Sequence, residues 1–329
     1  MPSHAASPPA GSPRGPAGGQ DVALSAEDED TLASLFANWE RFGEAGGILA
    51  PLSPLSLSLL NFDQDIPNPG RQLARIIESD PVLAARVLGL SNSVAYAGGS
   101  RPVFRLEEAI TRLGTDVVLT AAFAQLTANW LHGACRRADR SVIRELWFEY
   151  LITACCAREI AEGLPGGEVD PSQAYAAGLL HDIGTIALLC AQPAEMTRFL
   201  HAGYGAHGPL HAPFLGAHAR LGQALLRSWR VPGDIALVAG RHHSRTVLSE
   251  AAVSIVVVLA DHLHAAVLDH DRAVFSDGLP PAGGCFGGAT EFVSAALGAL
   301  DLAGDLDTLV GRVAAESRSI EALGAAIRS

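Results

Sequence analysis

One stretch of this chain restricts its fold more than any other. From Ala174 to Leu189 the sequence reads AYAAGLLHDIGTIALL. Its apolar residues recur at helical spacing (Leu179, Ile183 and Ile186; Leu180, Ile183 and Ala187), which predicts an amphipathic to fully buried helix. Ala174, Ala177 and Gly178 form a strip of small residues through which a neighbouring helix can approach closely. A polar doublet, His181-Asp182, sits in the middle. Adjacent residues on a helix point about 100° apart, so the two side chains converge on one ion only at the edge of the packed face. An imidazole and a carboxylate suit a divalent metal; the alternative is a capping aspartate beside a core histidine.

The rest of the chain has the same helical character. No run alternates apolar and polar residues over a useful length, and no internal repeat is evident. An all-α fold is therefore expected. With 329 residues, 49% of them hydrophobic, the chain can bury one large core or two modest ones. A formal net charge of −12 argues against non-specific nucleic-acid or anionic-membrane binding. All 23 basic residues are arginine, which excludes a P-loop lysine, a Schiff base and a lysine general acid. The five cysteines (135, 155, 156, 190 and 285) form no CxxC, so buried reduced thiols in a cytoplasmic protein are the expectation. The longest uninterrupted apolar runs, such as Val253–Ala260, fall short of the roughly 20 residues of a membrane span.

Local signals mark the elements. Residues 1–20, rich in Pro, Gly, Ser and Ala, are expected to be a disordered tail. Residues 21–50 hold a helix with Ser25 as N-cap, acidic residues in its first turn, and an apolar stripe of Leu32, Leu35, Phe36 and Trp39. A short helix broken by Pro54 follows. Asn68-Pro69 and Asp80-Pro81 each read as a cap followed by proline at the first helical position. Asn92-Ser93 reads as a turn, Gly114 as a helix stop and Ser141–Gly163 as a long helix. Residues 201–213 read as a loop whose histidines, His207 among them, are poor ligand candidates. Segment 276–290 reads as a loop, and 291–300 and 305–327 as closing helices.

Some polar residues sit where apolar ones are expected. Glu149 shares a helix face with Thr153, Cys156 and Ile160, and a carboxylate on that face needs either a cation or an arginine, because burying it bare is costly. Asp261 follows the run Ile255–Ala260 and is likewise either paired or ligating. His242-His243 fall at a helix C-terminus, where the helix dipole favours an imidazolium.

The segment GLLHDIG resembles the signature of the HD superfamily of metal-dependent phosphohydrolases, and specifically its HDOD branch. Segments on both sides extend the likeness. Upstream are Leu73–Leu88, Ser91-Asn92-Ser93 and Ala109–Gly114; downstream are His218, Trp229 with Pro232, His242-His243 and Leu259-Ala260-Asp261. The resemblance covers roughly residues 50–265. It implies an HD-like helical bundle of two halves, about 21–140 and 141–329, with the HDOD domain at 51–265 and a helical extension at 266–329. It also implies a metal set of His181, Asp182, Asp261 and Glu149, with His218, His242 and His243 as further ligands of two-metal relatives. Glu149 stands where the family pattern Trp-x-His has its histidine. A hard carboxylate there favours Mn, Mg or Fe over zinc.

Two elements of the cyclic-di-GMP-hydrolysing cousins are missing: the lysine after HDIG is Thr185, and there is no GYP motif. The expectation is a signal-transduction module with little or no catalysis, acting through other signalling proteins or a small ligand. The alternative is a metal-dependent phosphohydrolase acting on a nucleotide or cyclic dinucleotide.

Overall fold

Capping and periodicity set the helices of this chain. In a computed structural model, the described residues are 24–43, 53–60, 62, 66–97, 101–134, 137–202, 208–244, 246–268, 289–302 and 311–312, and among them there is no strand. The N-terminal tail, most of the 276–290 segment, most of the 305–327 segment and His207 lie outside the described residues. By contacts the chain divides into two compact units, residues 49–136 and the remainder.

Helix α1 (Ala26–Ala37) starts in a complete capping box: the Asp28 backbone N–H donates to Ser25 Oγ, and the Ser25 backbone N–H donates to the Asp28 carboxylate. Leu32, Leu35 and Phe36 are buried against the later helices of the larger unit, described below. The expectation that α1 joins a half running to residue 140 is therefore corrected. A short α2 (Glu40–Gly43) follows.

The smaller unit holds α3 (Pro54–Leu60), α4 (Pro69–Glu78), α5 (Pro81–Ser91), α6 (Val94–Ala97), α7 (Leu106–Leu113) and α8 (Thr115–Ala134). Pro54 begins α3 rather than breaking it, since proline costs a helix no hydrogen bond in its first turn. Asp80 caps α5 as expected, accepting from the Val82 and Leu83 amides at 2.9 and 3.0 Å. Asn68 does not cap α4 through its side chain: its left-handed backbone (φ 59°) leaves it without a side-chain cap bond. Asn92 does more than fix its own turn. Its amide donates to Val103 O and its oxygen accepts from Val103 N–H, both at 2.7 Å, which ties the end of α5 to the segment leading into α7.

The larger unit continues with α9 (Arg140–Glu162), α10 (Pro171–Leu180), α11 (Ile183–Ala191), α12 (Pro193–His201), α13 (His211–Ser228), α14 (Gly233–Arg241), α15 (Ala252–Leu268) and α16 (Ala289–Ala299). Asp139 and Asp170 cap α9 and α10. α9 packs along α10 and α15, while α13 packs against α11, α14 and α1. The predicted small-residue strip serves the first contact. A Cβ on Gly178 would sit 2.7 Å from the Ala154 Cα, so only glycine lets α9 and α10 run this close. The predicted loop 201–213 is shorter than expected, because α13 begins at His211 with Pro213 in its first turn.

The single predicted helix 174–190 is in fact two: a turn at His181-Asp182 separates α10 from α11. Taken together, Pro171–Ala191 is the one stretch among the described residues with the length and apolarity of a membrane span, and 83% of its most apolar window is buried inside the protein. Its apolarity is that of a core element. Cys155 and Cys156 are buried and not disulfide-bonded, as expected, whereas Cys190 is disulfide-bonded, which corrects the all-thiol expectation.

Candidate metal centre

The break at residues 181–182 is what turns the doublet into a site. Ending α10 at Leu180 frees Asp182 from helical geometry (φ −108°, ψ 19°), so its carboxylate can aim into the space between α11, α13 and α14. A second feature brings α13 into reach. A Cβ on Gly184 would lie 1.9 Å from His218 O and 2.9 Å from Gly222 N, so the backbones of α11 and α13 touch at this glycine. His218, one turn into that contact, is thereby held beside Asp182. The C-terminal end of α14 supplies His242 and His243, with Ala236, Val238 and Ala239 anchoring it in the core.

Ligand-type atoms of Asp182, His218, His242 and His243 all lie within 4.8 Å of one another. His218 Nε2 is 3.0 Å from Asp182 Oδ1, 3.2 Å from His242 Nε2 and 2.9 Å from His243 Nε2; His242 Nε2 is 3.6 Å from Asp182 Oδ1. On the flank, His181 Nε2 faces Asp261 Oδ1 at 3.8 Å, and the His181 ring meets that of His242 edge-on at 5.2 Å between centroids. Glu149 is half-buried on α9 and is not one of the four converging residues. Of the seven residues singled out in the sequence, then, the fold gathers four tightly, sets His181 and Asp261 beside them, and leaves Glu149 out of the group.

Protonation decides what such a cluster can hold. His181 Nδ1 lies 2.7 Å from Gly178 O, His218 Nδ1 2.8 Å from Phe214 O, and His242 Nδ1 2.9 Å from Ala239 O. A carbonyl only accepts, so each Nδ1 carries a proton and donates, and each ring turns its Nε2 inward. Burial pushes the His242 imidazole down from its usual range and His243 well down, which keeps both neutral. Asp182 is driven the other way. Its burial opposes ionisation, but the neighbouring His218, with hydrogen-bonding contributions from His218 and His242, outweighs that and holds the carboxyl well below its usual range.

The centre therefore brings a carboxylate that ionises readily and three imidazole Nε2 atoms to one point. Asp182 Oδ1 is a buried oxygen that faces the Nε2 atoms of His218 and His242. Tetrahedral or octahedral ligand shells with bonds of about 2.1 Å have edges of about 3.0–3.4 Å, close to the separations found here. The residues present thus fit a divalent ion. Two helix C-termini, those of α10 and α14, also end at the cluster, and their partial negative charge favours a cation. The back-bonding carbonyls supply the outer-shell support that orients metal-ligating histidines.

The sequence matches the HDOD domain family over residues 55–245, more than half of its length. The chain belongs to the HDOD family. No curated protein matches it. Among solved structures, it resembles an HDOD domain protein of Geobacter sulfurreducens of unknown function, with 23% identity and a TM-score of 0.58 over 89% of this chain and 99% of that one. A candidate signal transduction protein from Marinobacter aquaeolei is 20% identical with a TM-score of 0.60, over 90% of this chain and 66% of that one. A candidate phosphohydrolase from Shewanella amazonensis is 19% identical with a TM-score of 0.53, over 88% and 97%. At these identities the likenesses establish the HDOD architecture, not a chemistry.

Proposed function

We propose that this HDOD protein is a signal-transduction module with little or no catalysis, whose Asp182-His218-His242-His243 centre holds a divalent ion as part of its working structure. The observation that carries this reading is the convergence of four ligand-type atoms at coordination-edge distances around a buried carboxylate oxygen. Three imidazole nitrogens and one oxygen, without Glu149, shift the preferred ion from Mg toward Mn, Fe or Zn. The metal, when bound, would act as a Lewis acid and electrostatic anchor. The residues themselves fix α11, α13 and α14 to one another, so occupancy stiffens the surface offered to a signalling partner or small ligand. No role with nucleic acid or a membrane is proposed.

A hydrolytic step needs a proton donor for the leaving oxygen, worth typically 10²–10⁴-fold. Thr185, at the position after HDIG, is fully buried, and its hydroxyl has no partner there and no path to a substrate. The second reading, a metal-dependent phosphohydrolase, is favoured by the partial exposure of Asp182, His243 and Asp261, which leaves one side of the cluster open.

The test is metal content of the purified full chain by mass spectrometry, with turnover of bis(p-nitrophenyl) phosphate in added Mn. About one ion per chain, lost in Asp182→Ala and retained in Asp261→Ala, with no turnover above background, supports the module. Turnover that vanishes in Asp182→Ala establishes the hydrolase instead. An empty, Mn-insensitive wild type removes the metal from the account.

A further inference from the structure

Within the smaller unit, α3, α4 and α8 enclose an open cleft of about 1260 Å³ that shares no residue with the histidine cluster. Its described lining includes Arg71, Gln72 and Arg75 from α4, serines from and beside α3, and Leu126 and Asn129 from α8. Arg71 and Arg75 are one helical turn apart, so their guanidinium groups share a face. That face is solvent-exposed, while Leu73, Ala74 and Ile77 anchor the opposite side of α4 in the core. The two cations are therefore displayed from a fixed backbone.

What marks the cleft is that its donors are not used up within the protein. Arg75 makes no hydrogen bond or ion pair among the described residues. Arg71 has only a distant contact, Nε to Glu107 Oε1 at 3.8 Å between two exposed side chains, and Glu107 also pairs with Arg105 at 3.2 Å. Asn129 Oδ1 accepts from Gln125 Nε2 at 2.8 Å, which leaves the Asn129 amide hydrogens to donate elsewhere. Asp80, the one carboxylate among the described lining residues, is committed to capping α5 through Oδ1. Two guanidiniums, one without a partner and one with a single distant ion pair among the described residues, stand against one engaged carboxylate and make a locally positive cleft in a chain of net charge −12.

We propose that this cleft recognises an organic phosphate of about nucleotide size. Guanidinium groups match the geometry of phosphate oxygens in bidentate fashion. Leu55, Ile76 and Leu126 supply an apolar floor for the organic part, with Gln72 and Asn129 as hydrogen-bonding groups at its edge. Ligand pockets for small molecules typically occupy about 300–1,000 Å³, so the cleft accepts such a ligand with water around it, and its openness calls for moderate rather than tight binding. An acidic peptide would meet the same charges, but it would not use the apolar floor.

The experiment is calorimetric titration of the full chain with ADP and, separately, inorganic pyrophosphate, both in excess chelator so that the metal centre cannot contribute. The expected result is binding of both, ADP more tightly. Arg75→Gln and Arg71→Gln should each weaken it about tenfold, the loss of one charge-assisted hydrogen bond. Arg101→Gln, an exposed arginine outside the cleft, should leave it unchanged. Far-UV circular dichroism checks that the variants remain folded, as expected for exposed side chains. The proposal is overturned by an absence of ADP binding, by equal affinity in Arg75→Gln, by loss of binding in Asp182→Ala alone, or by an octaglutamate peptide binding where ADP does not.

Discussion

Gly184→Ala is the sharpest perturbation of the candidate centre, because it adds one methyl group and touches no ligand. The new Cβ would sit 1.9 Å from His218 O, 2.7 Å from its carbonyl carbon and 2.9 Å from Gly222 N, all backbone atoms that cannot rotate away. Reaching the 3.4 Å of ordinary contact requires α11 and α13 to separate by about 1.5 Å in a core that is close-packed. That displacement is half of the 3.0 Å between His218 Nε2 and Asp182 Oδ1, so the cluster opens on the α13 side. Overpacking of this kind costs about 1–3 kcal/mol, and a clash with rigid backbone belongs at the top of that range. At roughly 2–4 °C per kcal/mol, the midpoint of thermal unfolding should fall by about 6–12 °C. Mn affinity should fall by at least the roughly 10–100-fold typical of losing outer-shell support. Melts followed by circular dichroism, with and without Mn, measure both. Gly222→Ala, whose Cβ would meet Gly184 N at 3.3 Å, should be milder, and Gly89→Ala, with open space around it, should not destabilise. A Gly184→Ala protein that melts within 2 °C of wild type and binds Mn equally would refute the argument that this glycine sets the spacing of α11 and α13.

Two further predictions concern the contacts that hold the helices in place. The Arg198 side chain donates to both carboxylate oxygens of Asp28, joining α1 to α12, and with Ser25 it lowers the Asp28 pKa to about 2. A depressed carboxylate stabilises the fold above its unfolded pKa, near 4, and loses that contribution as pH falls toward 2. Asp28→Asn should therefore melt lower than wild type at pH 7, with the gap closing between pH 4 and pH 2; a pH-independent gap would show that the ion pair is not its origin. Asn92→Ala removes both 2.7 Å bonds to Val103, leaving a backbone N–H and C=O unsatisfied, and should cost about 1–3 kcal/mol in urea unfolding. A loss below 0.5 kcal/mol would mean that water replaces the side chain without penalty.

The sequence by itself determined the features that depend on neighbours within a few positions. The Ser25 capping box, the Asp80 cap before Pro81, the Gly114 stop and the small-residue strip at 174–178 were all legible, because a cap or an apolar stripe is decided by residues three or four apart. The order of motifs from Leu73 to Asp261 likewise revealed the HDOD family without any coordinates. Tertiary structure alone decided the rest. Periodicity ran unbroken through His181-Asp182, and nothing local announced the turn there. The apolar signal is the same for one buried helix as for two, and the approach of α13 onto Gly184 is a contact between distant segments. The same holds for Glu149: its helix face could be read from spacing, but its position outside the converging group depends on how α9 packs against α10 and α15. Helix α1 looked contiguous in sequence with the 49–136 unit, yet it buries Leu32, Leu35 and Phe36 in the other one. The cleft lined by Arg71 and Arg75 was equally invisible, since an unpaired arginine is defined by the absence of a partner in space, and spacing along the chain carries no record of that.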